Sequence, residues 1–353
     1  LIYIWIYLGC DEMLRRNNKL YLFITDEMIY YVLRNRSYKI LVCSEEPLPE
    51  GVLINGDVKK PFELYDILKN MISKNKMKVG EILFVIHEEN ILIRKITVNK
   101  EDITEKTVKD HIRKQIGNTI HFPFRRPVYD VHIQNETENS YEAVILLTDE
   151  DMLQDYLDIF QKLWISDVKF ETSLLSFYRL YYNDRLNSKS GSKKVHMSED
   201  PDLSVGDDLE LGKRIAIIGG KVSPSDDDTD ENLMSVALYN NNVSLMIFDG
   251  IYPVFSLIED IDAKENYCEF VANYIERISN YYSFNMHKGR KEIEKIEIFN
   301  FTSGDVSEII KEKMQVCVEK KKIVFFNFAE TPFDYSEDIP RGCYIPLATG
   351  MER

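Results

Sequence analysis

Residues able to do chemistry are scattered along this chain rather than gathered. The five cysteines, Cys10, Cys43, Cys268, Cys317 and Cys343, are odd in number and never spaced as C-x-x-C. That usage suits a reducing compartment and points away from a zinc site or a disulfide framework. The six histidines are equally dispersed, so no metal centre is expected. No G-x-S-x-G, no H-E-x-x-H and no recognisable Cys–His pairing is present. Carboxylates are abundant, but Asp149-Glu150-Asp151 and Glu259-Asp260 fall at helix starts or turns, where acids cap helices or face water. Gly219-Gly220, after the apolar run Arg214 to Ile218, is a weak phosphate-loop signal because no Lys-Ser/Thr follows it.

The formal net charge of −15 over 353 residues argues against nucleic acid, whose phosphates need a basic face. It also argues against adhesion to an anionic membrane through a broad basic surface. Part of the excess is local, in the acidic run from Ser225 to Glu231, which reads as a loop. The 21 Tyr and 18 Phe suit half-buried sheet surfaces and interfaces, and equally fit a low-GC composition bias. Leu1 to Leu8 is apolar, with no basic residue before it and too short a run for a signal sequence or a membrane span. Met13, followed by Arg15 and Arg16, is the expected start of translation. No stretch reads as a transmembrane span, and no tandem repeat appears.

The elements that must position any site follow from apolar periodicity. Tyr21 to Ile24, Met28 to Leu33 and Lys39 to Cys43 predict a strand meander, followed by a helix over Phe62 to Ile72 with Leu64, Ile67, Leu68 and Met71 on one face. Ile82 to Ile86 is wholly apolar, as in a strand buried on both sides. A β-α-β-β-α run follows: Ile91 to Val98, a helix from Ile103 to Ile116, Pro127 to Gln134, Ala143 to Leu147, and a helix from Met152 to Leu163. A helix over Leu174 to Leu186 then gives way to the polar stretch 187–212. A second meander spans Met234 to Tyr239, Val243 to Phe248 and Tyr252 to Leu257, with Asp249-Gly250 as a hairpin turn. A helix from Tyr267 to Tyr282, a strand from Ile293 to Phe299, a helix from Val306 to Val316 and a strand from Ile323 to Phe328 complete the chain.

Two β-β-β-α lobes with a small inserted α+β unit suggest the actin/FtsA architecture, an α/β fold of the ribonuclease H-like class. Within it the sequence resembles the PilM family of type IV pilus assembly proteins. The likeness rests on the order of three stretches. The first joins Ile82 to Ile86 and Ile91 to Val98 with Ile120-His121-Phe122-Pro123-Phe124, close to an "IPFP" element, and with Val128-Tyr129-Asp130-Val131, which has the aromatic and acid of "xxDY" exchanged. The second runs from Tyr156-Leu157-Asp158 to Leu175-Ser176-Phe177-Tyr178-Arg179. The third comprises Arg277 to Tyr282, Ile293 to Ile296, and Ala348-Thr349-Gly350-Met351. The implied organisation is a first lobe of 13–90 and 165–186, an inserted unit of 91–164, a polar and acidic connection of 187–232, a second lobe of 233–334, and a return to the first lobe over 335–353.

Actin-like ATPases grip phosphates with two Asp-x-Gly hairpins, the acid positioning the metal and the glycine admitting backbone N–H groups to the phosphates. By that resemblance Phe23 and Thr25 stand at the first Asp and Gly positions, Tyr30 where Lys is common, and Ala237 and Tyr239 at the second pair. The adenosine-side glycine run is reduced to Thr302-Ser303-Gly304. The expectation is a pseudo-ATPase with no cofactor, no catalytic residue and no metal. A divergent but working actin-like ATPase is the alternative, and a sugar kinase of the same fold lacks a nameable catalytic Asp. The resemblance further implies a cytoplasmic scaffold of a pilus, competence or secretion platform, held to the inner face of the membrane by a partner rather than by direct insertion. That partner would be the N-terminal tail of a PilN-like bitopic membrane protein, with a cytoplasmic pilus motor as a further one. Ile112, Ile116, Phe122, Pro123 and Phe124 are the candidate contacts for the tail. Phe122 and Phe124 serve equally well as packing within the inserted unit.

Overall fold

The same short pattern is used twice: three antiparallel strands, a helix, and a strand that returns parallel to the first. The computed structural model describes residues 18–189, 232–261, 266–302, 304, 306–317, 322–330, 333, 335 and 338–349. The expected strand at Arg214 to Ile218, the pair Gly219-Gly220, the acidic run and Ser303 lie outside the described residues.

Strands β1 (Asn18–Ile24), β2 (Met28–Arg34) and β3 (Ile40–Pro47) form the first meander. A miniature hairpin, β4 (Leu53–Ile54) and β5 (Asp57–Val58), turns on Asn55-Gly56, both with positive φ (52° and 75°). Asn-Gly is the favoured pair for such a turn, a signal the reading by periodicity passes over. Helix α1 (Pro61–Lys74) starts on a proline and buries Leu64, Leu68 and Met71. Strand β6 (Val79–Ile86) then lies parallel to β1.

The chain next leaves this sheet for a separate one. Strands β7 (Leu92–Asn99), β8 (Pro127–Glu136) and β9 (Ser140–Asp149) pair antiparallel in the order β7-β9-β8. Between β7 and β8 runs α2 (Val108–Gln115), which with these strands closes a core of Val98, Ile112, Val131 and Ile145. Helix α3 (Glu150–Lys162), N-capped by Asp149, leads to β10 (Asp167–Thr172), parallel to β6, and then to α4 (Ser173–Lys189). The first sheet therefore reads β10-β6-β1-β2-β3.

The second lobe repeats the plan. Strands β11 (Asn232–Leu238), β12 (Asn242–Asp249) and β13 (Tyr252–Asp260) form the meander. Helix α5 (Tyr267–Asn280) runs into a π-helical turn over Tyr281–Met286. Strand β14 (Lys295–Asn300) is parallel to β11, and after α6 (Ser307–Cys317) strand β15 (Lys322–Phe325) is parallel to β14. The order β13-β12-β11-β14-β15 matches the first sheet position for position. Helix α7 (Tyr344–Ala348) comes back to the first lobe, where Cys343 and Leu347 pack with Tyr21, Val32 and Ile40. There the buried Arg34 donates from Nη2 to the Leu347 carbonyl at 2.8 Å.

Two expectations are corrected. Helix α3 packs on the first sheet rather than in the inserted unit, because Tyr156 and Phe160 stack against Phe84 at ring distances of 4.4 and 5.8 Å. The inserted unit therefore closes at β9. The helix expected from Ile103 begins only at Val108. Thr107 is in extended backbone and its Oγ1 accepts the Asp110 N–H at 3.1 Å, so the cap stops the helix from extending further back.

Glu105, just before that cap, latches α2. It pairs with His111 Nδ1 at 2.6 Å and Lys114 Nζ at 2.8 Å. Hydrogen bonds from Lys114, then His111 and Thr104, hold its carboxyl down at about 2. A depressed carboxyl stabilises the fold above its unfolded pKa and loses that effect as pH falls through the folded value. The latch is therefore full above about pH 4.5 and fades towards pH 2. Amide protection across 108–115 should fall over that window, and Glu105→Gln should abolish the pH dependence. Unchanged protection from pH 5 to 2 in the unaltered chain would remove the latch.

Candidate functional site

The C-terminal ends of parallel strands are where α/β sheets present groups to ligands. Here the ends of β1, β6, β11, β14 and β15 meet between the lobes, and aromatic rings fill the junction. Phe23, fully buried on β1, stacks on Tyr30 at 6.0 Å and on the His87 imidazole at 5.5 Å with only 4° between planes. His87 reaches Tyr239 of the second lobe at 5.9 Å. Tyr239 stacks on Phe301 at 5.5 Å, Phe301 contacts Phe328 at 5.6 Å, and Phe328 meets Tyr344 edge-on at 4.9 Å. Phe177 of α4 enters from the side, 5.2 Å from Phe299. The seam thus runs from β2 of the first lobe through the second lobe and back to α7. Each such pair adds about 0.5–1.5 kcal/mol beyond the area it buries.

Polar groups lock the same junction. Glu88 is 1% exposed and accepts from Ser173 Oγ at 2.6 Å and from the Tyr239 hydroxyl at 3.4 Å. Burial first, and the Glu88 carboxylate second, push the Tyr239 hydroxyl far above its ordinary range. The Tyr239 carbonyl accepts from the Tyr267 hydroxyl at 2.8 Å. Asn241 Nδ2 donates to Glu27 Oε1 at 2.6 Å, joining the tips of the two hairpins directly.

The hairpin groups are used internally. Thr25 N–H donates to the Met28 carbonyl at 2.9 Å, and Thr25 Oγ1 accepts the Met28 N–H at 3.1 Å. The Asp26 carboxylate accepts the N–H groups of Asn55 and Gly56 at 2.7 and 3.1 Å, which ties the tip to the β4-β5 turn. Ala237 is fully buried opposite Ser244 and Phe299. Tyr30 packs against Gly342 so closely that a Cβ there would sit inside the ring. The Gly304 carbonyl accepts from Asn300 Nδ2 and Thr302 Oγ1 at 3.0 and 2.9 Å, closing a small loop. Among the described residues no three His, Cys, Asp or Glu side chains converge as a metal site would require. No described helix is long and apolar enough to cross a membrane.

The structure thus brings Phe23, Tyr30 and Tyr239 together in one seam, with Thr25 and Ala237 on the hairpins behind it. His87, Glu88, Ser173, Phe301 and Phe328 were not singled out from the sequence. The available signal was that His87-Glu88 directly follow the wholly apolar strand Ile82 to Ile86. The candidate partner residues divide. Ile112 is fully buried and Ile116 packs beside it in the core of the inserted unit. Phe122 and Phe124 are half-buried against that core, and Pro123 between them is exposed.

No family model matches the sequence, and no curated protein matches it. Among solved structures, a chain of a PilM-PilN type IV pilus biogenesis complex aligns over 96% of this chain and 100% of its own, with a TM-score of 0.59 and 14% identity. The chain resembles PilM and has the actin-like fold. A Bacteroides thetaiotaomicron protein with an actin-like ATPase fold aligns over 96% of this chain and 98% of its own, at a TM-score of 0.47 and 9% identity. The cytoplasmic domain of EpsL, an inner-membrane component of the Vibrio cholerae type II secretion system, covers 96% of each chain at 0.45 and 4% identity.

Proposed function

We propose that this chain is a non-catalytic scaffold of a type IV pilus-like, competence or secretion assembly platform. It would act in the cytoplasm at the inner face of the membrane, binding the cytoplasmic tail of a PilN-like bitopic protein. The fold shared with a chain of a PilM-PilN complex supports the partner class. The aromatic seam supports the loss of catalysis, and it is the observation that carries this reading. Where a magnesium triphosphate needs carboxylates and open backbone, Phe23 and Ala237 are buried and apolar, and the hairpin tips bond to each other through Asn241 and Glu27. These residues do not fit the nucleotide.

One observation favours a working ATPase as the second reading: Glu88 places a buried carboxylate beside Ser173 in the interlobe junction. Thermal unfolding with increasing Mg-ATP separates the two. A ligand at 100 times its Kd stabilises by about 2.7 kcal/mol, so a working site would raise Tm by several degrees, and we expect no rise. The tail reading is tested with synthetic N-terminal tails of candidate bitopic partners, titrated onto the purified chain. Saturable binding, weakened when Pro123 and Phe124 are replaced by Ser, is the expected outcome. Failure with every tail would leave the fold intact and remove the partner.

A further inference from the structure

Helix α3 ends in a way its sequence does not favour. Trp164 N–H donates to the Gln161 carbonyl at 2.9 Å and Ile165 N–H to the Phe160 carbonyl at 3.1 Å. This Schellman pattern puts Trp164 at the left-handed position, with φ 62°. Glycine is the residue that position favours, since a bulky side chain there is strained. Tryptophan stands there instead and is 82% exposed. A strained backbone carrying a large exposed aromatic is unfavourable to stability twice over, and strained positions cluster at functional surfaces.

Trp164 is one wall of a groove between α3 and α1. A cavity of about 610 Å³ is lined by Pro61, Phe62, Tyr65, Gln161, Lys162 and Trp164, with Asp158 as its carboxylate. A second, of about 480 Å³, continues past Tyr65 and Trp164 to Lys69, Ile72, Met77 and Lys78. Phe62 is itself 76% exposed. Asp158 is engaged by the Gln154 side-chain amide at 2.6 Å. Lys162 Nζ lies 5.6 Å from the Phe62 ring and Lys69 Nζ 5.5 Å from the Tyr65 ring. Lys69, Lys78 and Lys162 form no ion pair with any described carboxylate, in a chain whose net charge is −15. A largely apolar cavity that continues into a more polar one rimmed by Lys69, Lys78 and Lys162 complements one chemistry, apolar side chains flanked by acids.

We propose that this groove docks a short acidic amphipathic segment of a partner protein, one apolar anchor entering each cavity and carboxylates meeting Lys69, Lys78 and Lys162. The face is separate from the tail-binding reading and does not depend on it. The inserted unit meets α3 at its first turn, where Arg126 pairs with Glu150 and Asp151. Trp164 lies beyond the opposite end, about 20 Å away along a helix of this length. The concave shape, with room for single side chains, favours a protein segment over a lipid surface.

The test exploits Trp5 and Trp164 being the two tryptophans of the chain. In a Trp5→Phe background, Trp164 emission reports this groove alone. The full-length protein is panned against a library of random 16-residue displayed peptides, and enriched sequences are synthesised. Expected are peptides with two apolar anchors among Asp and Glu, a saturable blue shift of Trp164 emission, and binding that weakens with salt. Trp164→Gly and Lys162→Glu should each weaken binding about tenfold. Trp164→Gly relieves the backbone strain, so its Tm should equal or exceed that of the parent, and Lys162→Glu tests the site without touching that turn. No enrichment, enrichment of peptides lacking acids, or equal binding by both variants would overturn the proposal. So would an emission shift produced by vesicles containing anionic phosphatidylserine but by none of the peptides, which would assign the face to a membrane.

Discussion

Replacing Phe23 by Ala should destabilise the protein by about 3–5 kcal/mol, the range for removing a fully buried phenylalanine whose cavity cannot collapse. Phe23 is 0% exposed and stacks between Tyr30 and His87, so its loss breaks the seam at the point where the first lobe approaches the second. Phe23→Leu keeps most of the volume and should lose only about 1 kcal/mol, chiefly the ring contacts. Phe23→Asp is the more informative variant, because it puts a carboxylate at the position that the resemblance aligns with the hairpin Asp of actin-like ATPases. In this buried aromatic junction the new charge would lie against the Tyr30 and His87 rings, and burying it without a paired cation is strongly unfavourable. The variant should unfold at lower denaturant than Phe23→Ala, and Mg-ATP should not rescue it. Chemical denaturation of the three variants, with and without nucleotide, checks the series. A loss under about 1 kcal/mol for Phe23→Ala, or rescue of Phe23→Asp by Mg-ATP, would show that the junction is open rather than packed.

Glu171→Ala should be comparably damaging, by about 3–5 kcal/mol, because it removes the buried carboxylate of a salt bridge. Glu171 is 4% exposed and pairs with Arg179. Burial raises its carboxyl from the usual range, against the opposing pull of Arg179. Arg179 also donates to the Ala348 carbonyl at 3.4 Å, and Ser176 meets Thr349 at 3.0 Å. The pair therefore ties β10 and α4 to α7, the segment that returns from the second lobe. Glu171→Ala combined with Arg179→Met removes both charges and leaves an apolar replacement, so it should recover to within about 1 kcal/mol of the parent. Additive losses in the double variant would mean that the two side chains do not interact.

How far each feature was legible depended on the range of the interaction behind it. The strands of both meanders stood out because short apolar runs bounded by turn residues reflect burial, a property each segment carries alone. The Asn-Gly turn at Asn55-Gly56 was equally local and was missed only because two-residue strands have too little periodicity to register. The start of α2 was misplaced because Ile103 and Val108 continue an apolar spacing, while the competing Thr107 cap depends on one hydrogen bond to Asp110. Helix α3 was assigned to the inserted unit by chain continuity. The stacking of Tyr156 and Phe160 on Phe84 is a contact across some seventy residues that no local pattern reports.

The sequence by itself determined the repeated β-β-β-α plan, and through the residues at 23, 25, 237 and 239 it determined that the hairpins lack Asp-x-Gly. Only the tertiary structure decided what surrounds those positions. His87 and Tyr239 lie more than 150 positions apart, and whether their rings meet depends on how the two sheets are set against each other. Glu88 became part of the junction because the turn after β6 points it at Ser173 and Tyr239. Ile112 looked available and is buried, since the face an amphipathic helix presents to solvent depends on the sheet that covers it. The physical reason is the same in each case. Apolar periodicity is set by neighbours along the chain, whereas a site is set by register and packing between segments that share no local signal.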